Sequence, residues 1–141
     1  MSIEAVKALK TKLKANAALT GFFVGRYGKD AKHIVGYKRS GNANDYPFIA
    51  YVEPQADLGD PSGERVIVSV VIGINDAGVT DEIYDGVASA DAAARLIMAA
   101  IDVGTIDSKT VWLGQARVVT DLGARHPYYE TEIILPLLYR G

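Results

Sequence analysis

Residues Glu64–Asn75, ERVIVSVVIGIN, alternate with a period of two. Val66, Val68, Val70, Ile72 and Ile74 fall on one side, and Arg65, Ile67, Ser69, Val71 and Gly73 on the other. The first side is unbroken β-branched aliphatic, the residue type that packs best on a pleated surface. The second is mixed. A strand with these two faces belongs near the middle of a sheet, with other elements burying its aliphatic side.

Upstream, PFIAYVEP (47–54) reads as a strand bounded by its two prolines, since proline cannot donate to a ladder. The polar, turn-rich QADLGDPSG makes the two strands a long hairpin with an extended tip. At the N-terminal side, Ser2 can cap a helix running to about Ala18. Ile3, Val6, Leu9 or Lys10, Leu13 and Ala17 recur there at helical spacing, with lysines on the other side. Gly21 ends that helix. From Phe22 to Asp45 the pattern is irregular, with one short strand around His33–Lys38 and a turn at SGNAND.

Downstream, DAGV turns the chain and Thr80 caps a second helix, with Asp81 and Glu82 at the positive end of its dipole. Ile83, Val87, Ala90, Ala94, Ile97 and Ile101 form its seam, and Ala88, Ala93 and Ala100 let it lie close to a sheet. Gly104 stops it. This helix is the expected cover for the central strand. Two strands remain, VWLGQARVV (111–119) and YYETEIILPLLY (128–139), joined by TDLGAR. In the last strand Tyr129, Thr131, Ile133, Leu135, Leu137 and Tyr139 share one face. Tyr128, Glu130, Glu132, Ile134, Pro136 and Leu138 share the other, and Pro136 demands an edge or a bulge. The order predicts an α+β fold, a single domain over 1–141 whose mostly antiparallel sheet carries two helices on one side.

The composition is that of an ordinary globular chain, and 141 residues suffice for a real core. A net charge of −2 argues neither for a nucleic-acid binder nor for an acidic tail. The charge is unevenly spread: residues 1–45 hold nine Lys and Arg against Glu4, Asp30 and Asp45, and the remainder is acidic. That split reads either as solvated faces or as complementary surfaces of a self-associating subunit. With no cysteine, disulfides, thiolate metal sites and cysteine nucleophiles are excluded. MSIEAVKALKTKLK has neither the apolar core nor the cleavage pattern of a secretory signal. No apolar run approaches the roughly 20 residues of a membrane helix.

Chemistry finds few candidates. His33 and His126 stand far apart with no neighbouring ligand pattern, and no Ser or Thr lies in a nucleophile elbow. No glycine motif of a nucleotide or phosphate loop is present. Asp57, Asp60 and Glu64 could offer oxygens to a hard cation, but their spacing matches no calcium loop and suits a solvated turn better. Glu130 and Glu132 share one strand face and could do acid–base work as a pair, but a polar stripe of a half-exposed strand, or a partner for a basic surface, suits them better. No active site emerges, and neither enzymatic activity nor a cofactor nor a metal is expected.

The element order, with YPFIAYVEP, ERVIVSVVIGIN, the alanine-rich helix and the closing HPYYETEIILPLLYRG, resembles the tail terminator (tail-completion) proteins of long-tailed bacteriophages and Mu-like prophages. The resemblance implies an α+β subunit of a ring, typically of six copies. Such a ring caps the finished tail tube, stops its polymerisation and meets the head-side connector. The implied partners are therefore the chain itself, the tail tube protein and a connector or completion protein, with no membrane and no sequence-specific nucleic acid. The implied location is the host bacterial cytoplasm during assembly, then the virion tail. The charge split nominates Arg26, Lys29, Lys38 and Arg39 against Asp57, Asp60 and Glu64 as contact residues. The loops 21–45 and 55–63 are expected to order on assembly. Another head–tail joining or minor tail protein fits the same features. A small-ligand module is the alternative of a different class, with Tyr51, Tyr84 and Tyr128 as candidate lining.

Overall fold

The aliphatic alternation of residues 64–75 becomes the third strand of a six-stranded sheet. The computed structural model describes residues 3–39, 41–59, 61–101, 105–121 and 123–141. Its elements are α1 (Ile3–Lys14), α2 (Ala17–Tyr27), β1 (Lys32–Val35), β2 (Phe48–Asp57), β3 (Glu64–Asn75), β4 (Val79–Thr80), β5 (Ile83–Tyr84), α3 (Asp85–Ile101), β6 (Thr110–Trp112), β7 (Arg117–Val119) and β8 (Tyr128–Tyr139). The sheet runs β1-β2-β3-β8-β6, with β7 also on β8, while β4 and β5 form a separate small hairpin. The expected α+β architecture is the observed one.

The β3–β8 ladder is its spine, in unbroken register from Glu64↔Tyr139 to Asn75↔Tyr128. The five aliphatic residues of β3 and Tyr129, Ile133, Leu135 and Leu137 of β8 have no exposed surface. Against this face pack Val6, Leu9 and Leu13 of α1, Leu19 and Phe23 of α2, and Ala90, Ala93, Ala94, Ile97 and Ile101 of α3. Burying each large aliphatic side chain contributes about 1.5–3 kcal/mol, so this layer supplies most of the cohesion.

Several local expectations change. The first helix does not end at Gly21: it breaks at Ala15–Asn16, and α2 follows. Asn16 caps α2 by accepting a hydrogen bond from Leu19 N (2.9 Å), and Gly28 closes it at φ 77°. Gly21 and Gly25 sit inside this helix on its exposed side. Their cost, about 1 kcal/mol each, is outweighed by burial of Leu19 and Phe23. Segment 21–45 is therefore not a continuous loop. The Ser2 cap and the Gly104 stop lie outside the described residues.

β2 does not close at Pro54. Its register with β3 shifts between Val52 and Gln55, which carries the proline past the ladder, and pairing resumes to Asp57. Thr80, Asp81 and Glu82 do not open the second helix. They belong to the β4–β5 hairpin, with Asp81 at φ 52° and Glu82 at φ 65°. The helix begins at Asp85, and Ile83 is exposed rather than part of the seam. The strand expected over 111–119 is broken: β6 pairs with residues 137–139 of β8, and β7 with 132–134. Pro136 lies opposite this break, its carbonyl accepting from Leu113 N, so the missing donor faces the gap in the neighbouring strand. β1 lies parallel to β2, against the antiparallel trend. In the connection 36–47 between them, Tyr37, Gly41 and Tyr46 meet Glu130, Tyr128 and Phe48 on the helix-free side of the sheet.

Candidate assembly surface on the helix-free side and edges of the sheet

Phe48 and Ala50 of β2, Ser69, Val71 and Gly73 of β3, and Tyr128, Glu130 and Glu132 of β8 line the second side of the sheet. Gly73 is required there: a Cβ would come 2.0 Å from the Phe48 ring that lies across it. The crossing segment adds Tyr46, whose ring packs 5.2 Å from Phe48 and 5.1 Å from Tyr128. The Tyr128 hydroxyl in turn donates to the Gly41 carbonyl at 2.7 Å. An aromatic cluster thus ties the connection to the sheet.

The two carboxylates of β8 are both engaged. Tyr37 donates to both oxygens of Glu130, at 2.6 Å to Oε2. Arg125 Nη1 stands 3.6 Å from the same carboxylate, and Glu130 N donates to Asp121 Oδ2 at 2.6 Å. Ser69 Oγ donates to Glu132. Burial, and then the neighbouring carboxylate, push the Tyr37 hydroxyl far above the ordinary tyrosine range, so it stays a donor. Between these groups lies an open cleft of about 540 Å³ that also takes in Arg39, Val52 and Pro54. The carboxylates of the cleft are thus held by hydroxyls, a backbone N–H and a guanidinium.

Beside β1 lies a second cleft, of about 390 Å³. Phe48 and Ala50 floor it, Ile34 and Tyr37 wall it, and Lys32, Lys38 and Asp45 stand around it. Past the Asn75 end of β3, the β4–β5 hairpin exposes Val79, Ile83 and Tyr84. Tyr84 stacks on His126 at 4.6 Å, and His126 Nδ1 meets the Tyr129 hydroxyl.

The residues nominated from the charge split fall in three places. Arg26 and Lys29 stand at the end of α2, where Arg26 Nη1 donates to the buried Ser89 of α3 at 2.7 Å. The adjacent Tyr27 donates to Asp76 at 2.9 Å, and burial raises its pKa to about 12. Lys38 and Arg39 are exposed on the crossing segment, one at each cleft. Asp57 and Glu64 flank the β2–β3 loop, and Asp60 lies outside the described residues. Gln55–Asp57, expected as loop, continue β2.

The other candidates resolve locally. His33 Nδ1 lies 2.7 Å from the hydroxyl of the fully buried Tyr51, and burial holds the imidazole below its ordinary pKa. Tyr51 is therefore core, not pocket lining. Among the described residues no three His, Asp or Glu side chains are grouped to hold a metal ion. No helix among them is long and apolar enough to cross a membrane. Sequence reasoning missed Tyr37, Asp121 and Arg125 as partners of Glu130 and missed the β4–β5 hairpin. The available signal was weak: two glutamates on an otherwise apolar strand require partners, but Tyr37 is 93 residues from Glu130.

No family model matches the chain, and no curated protein matches it. Among solved structures, a chain of the "Virion of native gene transfer agent (GTA) particle" is similar, with a TM-score of 0.56 and 15% identity. The match covers 96% of this chain and 94% of that one. At this identity the likeness is one of fold, and it extends over nearly the whole of both chains.

Proposed function

We propose that the protein is a structural subunit of a phage-like particle, and within it a tail terminator. In this reading it forms a ring of six copies that caps the tail tube, stops its polymerisation and joins it to the head-side connector. The observation that carries the reading is the fold shared, nearly end to end, with a chain of a gene transfer agent virion. The chain's own features agree with it. Its clefts are open and its carboxylates satisfied, which suits binding and assembly without catalysis or a cofactor. Ring closure by head-to-tail contact needs two different patches on each subunit. The basic candidates stand apart, Arg26 and Lys29 at the end of α2 and Lys38 and Arg39 on the crossing segment, and Asp57, Asp60 and Glu64 belong to the acidic remainder. The ring would assemble in the host cytoplasm and stay in the virion tail.

The test has two parts. Light scattering across a concentration and salt series is expected to find a species of about 90 kDa, six times the 15.1 kDa chain, that weakens at high salt. Added to growing tail tubes of its own particle, the protein is expected to cap one end and arrest elongation in electron micrographs. Tubes that grow on uncapped would sink the terminator role. Arg39→Glu is expected to weaken self-association with little change in stability, since the side chain is exposed. Unchanged association would remove Arg39 from the contact.

A further inference from the structure

We infer that the β4–β5 arm of one copy docks in the lysine-rimmed cleft beside β1 of the next copy. This deepens the ring reading above and rests on it. The arm is a four-residue hairpin, Val79↔Tyr84 and Thr80↔Ile83, that leaves Val79 55%, Ile83 55% and Tyr84 44% exposed. The pairing sets Val79 beside Tyr84 on the face that leans on His126 and Ile83 beside Thr80 on the opposite face, so the projection exposes apolar side chains on both faces and Ile83 is the one turned away from His126. At its tip stand Asp81 and Glu82, both in the left-handed region. A type I′ hairpin turn needs that conformation at both central residues, and glycine or asparagine usually supplies it. Here the turn carries two carboxylates instead.

The arm is rigidly mounted. Asp85 N donates to the Gly78 carbonyl at 3.0 Å, and Gly78 N to Asp76 Oδ1 at 2.9 Å. Thr80 Oγ1 donates to Asp85 Oδ2 at 3.2 Å, while Tyr84 stacks on His126. A preformed arm loses little conformational freedom on docking.

The cleft is its complement in both apolarity and charge. Its floor and wall are Phe48, Ala50, Ile34 and Tyr37, with Ile34 49% exposed. Its two lysines outnumber its single aspartate, Asp45. Lys32 Nζ is held by a 2.8 Å bond to the Asn44 carbonyl, which fixes one ammonium at the rim. Apolar side chains flanked by carboxylates thus meet an apolar floor flanked by ammonium groups. The hairpin loop after Asp57 is also acidic but offers, among its described residues, a single exposed large aliphatic side chain, Leu58.

Position makes the contact intermolecular. β1 is the outermost strand on one side of the sheet, whereas the arm leans on His126 and on Tyr129 of β8, with β2 and β3 in between. A contact between two such different patches is head-to-tail, the kind that closes rings.

The natural chain has no cysteine, so pairs introduced at chosen positions report on this contact alone. A chain carrying Ile34→Cys is mixed with a chain carrying Ile83→Cys under mild oxidation. A disulfide-linked dimer is expected in the mixture and in neither variant alone, because the bond needs closely apposed Cβ atoms. Both substitutions in one chain are expected to give a covalent ladder ending at the ring. An oligomer of unchanged mass with no cross-link in the mixture would overturn the arm contact and leave the ring reading standing. Cross-linking of either variant with itself, or of Ile34→Cys with Leu58→Cys in place of Ile83→Cys, would overturn it too. A monomer at every concentration would overturn both. As a second measurement, Asp81→Lys with Glu82→Lys is expected to raise the concentration for half-assembly roughly tenfold or more. Lys32→Glu with Lys38→Glu in the same chain is expected to restore it, and failure to restore overturns the charge pairing.

Discussion

The two sides of the central sheet are built on different physics. Under the helices, β3 and β8 present a continuous aliphatic layer with no solvent exposure. On the other side the same strands present Ser69, Glu130 and Glu132 beside an aromatic cluster, covered by one connection. Aliphatic burial is additive and non-directional, so the first side sets stability. Polar pairs are directional and individually weak in net terms, so the second sets shape and recognition. One strand serves both because its side chains alternate.

The largest expected effect comes from a cavity under the helices. Ile72→Ala is expected to lower the unfolding free energy by about 2–5 kcal/mol in chemical denaturation. A loss below 1 kcal/mol would mean that the helix-covered side does not dominate. Next in size is overpacking at the same layer. A Cβ on Gly86 would lie 2.2 Å from the buried Tyr129 ring, so Gly86→Ala is expected to cost about 1–3 kcal/mol. On the opposite side, Tyr37→Phe removes the hydroxyl from Glu130 and is expected to cost about 0.5–1.5 kcal/mol, with Arg125 still beside the carboxylate. A cost equal to that of Ile72→Ala would erase the distinction between the sides.

The smallest expected effect concerns the polar pair that does lie under the helices, His33 with Tyr51. Burial lowers the folded pKa of His33 below its ordinary 6.5, with Lys14 and Lys10 acting in the same direction and Asp30 opposing. Below pH 6.5 the unfolded chain therefore binds more protons than the folded one, and protonation favours unfolding. This contribution to stability is full above pH 6.5 and is lost as pH falls through the folded value. Melting temperatures of the wild type and His33→Gln are expected to diverge across that window. Parallel curves would show that the imidazole is not coupled to folding.

Much of the frame was legible beforehand. The bounds of β3 and β8 coincide with the sequence reading, because a long alternation with one buried side admits a single register. The seam of α3 from Ala90 to Ile101 was equally readable. The nominated assembly residues were less so. Charge counting located a basic front, but it could not separate Lys38, which stands at an apolar cleft, from Lys29, which follows a helix cap.

By itself, then, the sequence determined the two long strands, the helix that covers them and the α+β class, all of which follow from periodicity within a dozen or so residues. Tertiary structure decided the rest. It made a helix of AALTGFFVGRY despite two glycines, because Leu19 and Phe23 find a core. It turned the expected start of α3 into an acid-tipped arm and split residues 111–119 around Pro136. It brought Tyr37 to Glu130 and left Ile34 open beside two lysines. Those outcomes depend on contacts between residues distant in the chain, and no local pattern carries that information.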